Sequence, residues 1–147
     1  MTERASPAQG FVSVRSALPF AETSECLLIA LKRRGMAIYA CIDHSANAAR
    51  AGLSLAPTHL FMFGYPGADG PVLARCPALG LEFPRRMLVW EDEAGAAWIG
   101  YNDPVWTGRR FRANSDVLAL LRPMATSFAG IALEAGGKEE DALREPR

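Results

Sequence analysis

The sequence predicts an α+β domain: a single, mostly antiparallel sheet packed by helices, in the order β-α-β(4)-α with short inserted helices. Three observations carry this reading. Short apolar and β-branched runs recur along the chain, bounded by Gly, Pro, Asn or Asp. Two of them, Arg86 to Glu91 (RMLVWE) and Ala96 to Tyr101 (AAWIGY), flank the polar turn Asp92-Glu93-Ala94-Gly95 and read as a hairpin. Two further segments, one ahead of Met36 and one near the C-terminal end, carry apolar residues at helical spacing. Adjacent late strands favour antiparallel pairing over a doubly wound parallel sheet.

Taken in order, Met1 to Gly10 is polar, carries Pro7 and Gly10, and predicts a flexible tail. Phe11 to Leu18 (FVSVRSAL) is a β-like run that Pro19 ends. Thr23 to Arg34 reads as a helix with Leu27, Leu28 and Leu31 as its apolar stripe. Glu22 and Glu25 lie early and Lys32 and Arg33 late, which suits the helix dipole, and Gly35 stops it. Met36 to Ile42 (MAIYACI) is continuously apolar, which predicts a buried central strand. Asp43 or Ser45 caps a short helix, Ala46 to Ala51, closed by Gly52. Leu53 and Leu55 are expected to pack back onto the core. After Pro57, Thr58 to Phe63 is another strand, and Gly64-Tyr65-Pro66-Gly67 is turn chemistry.

A short helix follows over Pro71 to Arg75, since proline is tolerated in a first turn. The hairpin comes next, closed by Asn102-Asp103-Pro104. Beyond an Arg-rich loop, Asn114 or Ser115 caps a long final helix with Val117, Leu120, Leu121, Met124, Phe128 and Ile131 on its apolar face. Pro123 should kink or split this helix, and Gly136-Gly137 should end it. Residues 11–136 thus read as one domain. The stretch 65–84, rich in Pro and Gly, reads as an inserted loop, and the charged stretch 137–147 as a disordered tail.

Composition narrows the functional classes. Half of the 147 residues are hydrophobic, enough for a core, and the 22% charged fraction is ordinary for a globular chain. Lys+Arg and Asp+Glu both number 16, so no global field draws the chain to nucleic acid or an anionic membrane. The basic cluster Arg109, Arg110 and Arg112 reads as solvated surface. Cys26, Cys41 and Cys76 form no CxxC pair, and their odd number argues against a disulfide framework. Cys26 and Cys41 sit among apolar neighbours and are expected to be small buried hydrophobes. The first ten residues lack the apolar stretch of a secretory signal, and no apolar run looks long enough for a bilayer. A cytoplasmic setting is the expectation.

The stretch Asp43 to Pro66 (DHSANAARAGLSLAPTHLFMFGYP), followed by Pro84 to Pro104 (PRRMLVWEDEAGAAWIGYNDP), resembles the domain-of-unknown-function family 302. The shared features are an Asp-His pair, an Ala-rich helical turn, Gly-Leu, Pro-Thr and Phe-Gly-x-Pro. A strand ending in Glu-Asp, a Gly turn and Tyr-x-x-Pro complete the pattern. The chain departs from it at Tyr65, where the family often has Asn, and at Asp69-Gly70-Pro71-Val72-Leu73. The resemblance covers about Val12 to Phe111. It implies a TATA-binding-protein-like α+β fold, often dimeric, and no defined activity.

His44 is the leading candidate for chemistry, as acid, base or ligand donor, because it follows a strand and precedes a helix. Asp43 beside it could orient the imidazole, although adjacent strand residues point to opposite faces. Glu91 is the possible second catalytic group. The other candidate ligand contacts are Asp43, Thr58, Phe63, Gly64 and Tyr101. His44, His59, Asp43, Glu91, Asp92 and Glu93 lack metal-ligand spacing, so no metal and no cofactor is predicted. The glycine in Phe63-Gly64-Tyr65-Pro66 is not part of a phosphate loop. Trp90 and Trp98 should meet across the hairpin, as core, dimer interface or ligand cleft. The preferred reading is a homodimeric small-molecule-binding or regulatory module without covalent chemistry, binding neither nucleic acid nor membrane. The alternatives are an enzyme using His44 and a structural dimerisation scaffold.

Overall fold

The apolar runs fold into five strands and five helices, described for residues 9–138 by a computed structural model. The order is β1 (Phe11–Arg15), α1 (Phe20–Arg33), β2 (Ala37–Asp43), α2 (His44–Arg50), β3 (Thr58–Gly64), α3 (Pro66–Arg75), a 3-10 turn (Pro77–Glu82), β4 (Arg85–Glu91), β5 (Ala97–Asn102), α4 (Pro104–Arg110) and α5 (Ser115–Ala135). The strands form one sheet, ordered β1-β5-β4-β3-β2, and every neighbouring pair is antiparallel. The expected tails fall largely on residues 1–8 and 139–147, outside the described ones. Gly10 lies within them and is tied down, its carbonyl accepting from Asp103 N at 2.7 Å.

Side-chain alternation gives the sheet two unlike faces. Phe61, Phe63, Met87, Val89, Ile99 and Tyr101 point to one side and pack against Leu27, Ala30 and Leu31 of α1 and Phe128, Ile131, Ala132 and Ala135 of α5. The register places Ile42, Leu60, Met62, Leu88, Trp90 and Trp98 on the other side, where each is only half-buried. Trp90 and Trp98 stack across the β4–β5 hairpin with planes 16° apart, as their spacing predicts. A second cluster, Val72, Leu79, Val117, Leu121 and Met124, joins α3 and the 3-10 turn to the first half of α5.

Several expectations are corrected. Met36 to Ile42 is not a central strand: β2 is an edge, its register shifts between Ile38 and Ala40, and Tyr39 and Cys41 are exposed there. Cys41 is therefore exposed, and Cys26 only partly buried. Met36 and Ile38 of this run pack against the core as partly buried residues. Leu53 and Leu55 stay 67% and 49% exposed, because the connection to Pro57 runs over the surface.

The stretch Tyr65 to Pro84 is mostly helical. Pro66 opens α3 at a position where its missing N–H is harmless, and Tyr65 N donates to Asp69 Oδ2 at 2.9 Å. The Arg-rich loop begins as α4, with Asp103 accepting from Trp106 N and Pro104 at the first position. Pro123 does not split α5; the buried Leu121 and Met124 on either side hold both halves to the protein.

Candidate functional site

The C-terminal end of β3 and the helix that follows it border a cavity. β3 ends at Gly64, and α3 starts two residues later, so the chain turns away from the sheet there. The helix α5 crosses beside it with Ala119, Leu120, Pro123, Met124, Ser127 and Phe128 facing the gap. The result is a cavity of about 400 Å³, closed further by Met36, Phe63, Ala68, Asp69, Pro71 and Arg85. This volume lies within the range of small-molecule sites. Gly64 allows a close approach: a Cβ there would fall 2.8 Å from Asp69 Oδ2 and 2.9 Å from the Tyr39 ring, so those side chains would have to shift.

Two charges stand in this apolar wall. Arg85 is 6% exposed. Its guanidinium lies 3.9 Å from the Phe83 ring centroid and 5.9 Å from that of Phe128, and Nη2 donates to Met124 Sδ at 3.4 Å. Nε has no hydrogen-bond partner. Burial pushes the Arg85 pKa down to about 10, against the pull of Asp69 and Glu82, so it remains a cation at neutral pH. Burial raises the Asp69 carboxyl, while the Tyr65 N–H and Arg85 work in the opposite direction. A recess of about 30 Å³ shares Arg85 and Phe128 and adds Glu82, Arg86, Asn102 and Thr107.

Of the predicted ligand contacts, the cavity includes Phe63 and Gly64 only. Tyr101 is buried behind it, edge-on to Phe128 at 5.8 Å, and burial pushes its hydroxyl up to about 12. Asp43, His44 and Thr58 lie at the far end of the β2–β3 pair, where Asp43 faces His59, whereas Gly64 faces Ala37 at the near end. Thr58 Oγ1 donates to Ala56 O at 2.9 Å. His44 opens α2, and no hydrogen bond or ion pair joins it to Glu91.

That far end assembles a group the sequence reading did not join. Ser24 Oγ and His59 Nδ1 are 2.8 Å apart, and His59 Nε2 lies 3.4 Å from Asp43 Oδ2. A carboxylate accepts only, so it selects the proton on Nε2 and leaves Nδ1 to accept from the serine hydroxyl. The order matches a hydroxyl–imidazole–carboxylate relay. Its setting is that of a tie: Ser24 is a buried residue of α1, Phe20 closes edge-on over His59 at 4.8 Å, and neither cavity includes any of the three residues. Asp43 also accepts from Ser45 Oγ and Ala46 N as the cap of α2. These bonds, with His59, lower its pKa to about 2. The signal for this group was present in the strand pairing, since the β2–β3 register sets Asp43 opposite His59. Among the described residues no cluster of three or more His, Cys, Asp or Glu is placed to hold a metal ion.

Sequence reasoning missed Arg85, Asp69 and the α5 residues of the cavity. For Arg85 the signal was the strand period: it stands in phase with Met87 and Val89, whose side chains point inward.

Comparison with known proteins adds three relatives and one fold. The chain is 34% identical over 128 residues to "Fluoride-specific ion channel FluC 1" of Brucella suis, covering 87% of this chain and 50% of that protein. The same identity and length relate it to "Fluoride-specific ion channel FluC 1" of Brucella abortus and "Fluoride-specific ion channel FluC 2" of Brucella melitensis, covering 47% of each. The chain therefore spans about half the length of the curated relatives it matches. In structure it resembles an uncharacterized conserved protein DUF302 from Bacillus stearothermophilus. The TM-score is 0.79 at 18% identity, covering 87% of this chain and 99% of that one, which establishes the α+β fold. The sequence model described as "Domain of unknown function DUF302" matches residues 12–127, and the chain belongs to that family.

Proposed function

We propose that the domain is a small-molecule-binding or regulatory module that performs no covalent chemistry of its own, in a reducing, cytoplasmic setting. The observation that carries the reading is the apolar cavity of about 400 Å³ between α3, α5 and the end of β3. Three free cysteines suit a reducing compartment. The likeness to half of each fluoride-channel protein supports the regulatory form, because the matched half shares a chain with further sequence there. The channel activity itself is not carried over. α5 has the length and mean hydropathy (1.4) to cross a membrane, but its buried side chains pack into both apolar clusters of the domain.

The test uses N-phenylnaphthylamine, a neutral apolar dye that brightens out of water. The wild-type chain is expected to bind it saturably, and Ala119→Trp, on the exposed rim of the cavity, to lose the signal without a change in melting temperature. No saturable binding, or equal binding by both proteins, removes the reading.

A homodimer is the second part of the proposal, and the half-buried apolar face of the sheet supports it. Sedimentation equilibrium of the wild type should give twice the 15.9 kDa chain mass, and Leu88→Arg should return a monomer. A monomeric wild type at micromolar concentration ends this part and leaves the cavity reading standing. The enzyme alternative gains no support from geometry, since His44 and Glu91 form no joined pair.

A further inference from the structure

We infer that the ligand of this cavity is a monocarboxylate on an apolar body, of the fatty-acid or arylalkanoic class, with its carboxylate held by Arg85. This rests on the small-molecule reading above and names the ligand class for it. A guanidinium carries five N–H donors in a planar fork that fits the two oxygens of a carboxylate. In this structure that capacity is almost unused. Nη2 reaches only a thioether, a weak acceptor, and Nε reaches nothing. Among the described residues no carboxylate lies in ion-pair contact with Arg85. A cation left 6% exposed, with Asp69 and Glu82 acting on it only from beyond contact distance, is costly, and an anion arriving in contact reduces that cost. Phe83 occupies one face of the guanidinium plane, and its N–H edge is what a ligand can use.

The body of the ligand follows from the rest of the wall. Most of it is apolar, Met36, Ala68, Leu120, Pro123 and Met124 among it, and its only uncharged side-chain donors are the hydroxyls of Tyr65 and Ser127. A cavity of this size accommodates a chain of roughly ten carbons. Asp69 is the other charge at the wall. Its Oδ2 accepts from Tyr65 N, and its negative charge directs an anionic head away from itself and toward Arg85. A neutral ligand can offer the guanidinium an acceptor but no counter-charge, which makes the weaker contact.

The experiment is calorimetric titration of the chain with decanoate, decanol and decylamine. Decanoate should bind about 10- to 100-fold more tightly than decanol, the range of a charge-assisted contact. Arg85→Met should erase that preference and keep decanol binding. Arg85→Lys, which retains charge without the planar fork, should fall between. Asp69→Asn should hold or tighten decanoate. Equal binding of decanoate and decanol, or a preference that survives Arg85→Met, overturns the carboxylate class while the cavity reading stands. A preference for decylamine that disappears in Asp69→Asn also overturns it. Binding of none of the three probes, with N-phenylnaphthylamine silent as well, overturns both. Circular dichroism melting of each variant separates lost binding from lost folding.

Discussion

Replacing Phe128 with alanine is expected to lower the unfolding free energy by about 3–5 kcal/mol, the range for truncating a buried aromatic side chain. Phe128 is 3% exposed and sits where the elements of the fold converge. It meets Phe63 of β3 edge-on at 5.5 Å and Tyr101 of β5 edge-on at 5.8 Å, so one ring couples α5 to two strands. Each such aromatic pair adds about 0.5–1.5 kcal/mol beyond the area it buries. The ring also forms part of the cavity wall, so its removal enlarges an existing void. Because the cost of truncation grows with residual cavity volume, the upper part of the range applies. Urea denaturation measures the loss as a lower midpoint at unchanged slope. A change below about 1 kcal/mol would show that the neighbours collapse into the space and that the cavity is not rigid.

Arg85→Met is expected to act in the opposite direction, raising stability by about 1–3 kcal/mol. The buried cation lacks an ion-pair partner, and an unpaired buried charge costs several kcal/mol. Its stacking on Phe83 returns about 1–2 kcal/mol, less than that cost. Methionine is similar in length, adapts to irregular spaces and needs no partner. In a chain of this size each kcal/mol moves the melting temperature by roughly 2–4 °C, so calorimetry resolves the gain. A lower melting temperature would mean that Arg85 serves as a structural tie. A higher one would mean that the protein carries a charge its fold does not need, which is the mark of a residue kept for binding.

The two substitutions test neighbouring walls of one cavity, and they also show why that cavity was hard to read in the sequence. Phe128 was legible as core, because Val117, Leu121, Met124 and Phe128 repeat at helical spacing. Arg85 stands one residue before the expected strand and beside a second arginine, where charge patterning suggests solvent. Its burial depends on the pleat: Arg86 points outward and is exposed, and Arg85 points inward. Asp69 and Pro71 belong to a stretch whose Pro and Gly content resembles a loop. Its helix forms because Pro66 sits in the first turn and because Val72 finds Leu79 and Leu121 to pack against. Asn102-Asp103-Pro104 is ambiguous in the same way, since a cap followed by proline opens a helix as readily as it closes a strand.

The Asp43 to Pro66 stretch, which holds most of the family pattern, behaves differently. Its strands and short helix appear almost where periodicity and capping residues place them. Its expected site does not gather. Asp43 and His44 stand at one end of the β2–β3 pair, and Phe63 and Gly64 at the other. Antiparallel pairing makes this unavoidable: residues near the turn are neighbours, and residues far from it are separated by the full strand length.

The sequence by itself determined the fold class, the family, the hairpin with its stacked tryptophans and the apolar face of the last helix. Those features follow from local period and turn chemistry, which act over a few residues. Only the tertiary structure decided that β2 is an edge, that His59 rather than His44 meets Asp43, and that Arg85 faces a cavity beneath α5. Each of these depends on which strand lies beside which and on the register between them, properties set by packing across the whole sheet.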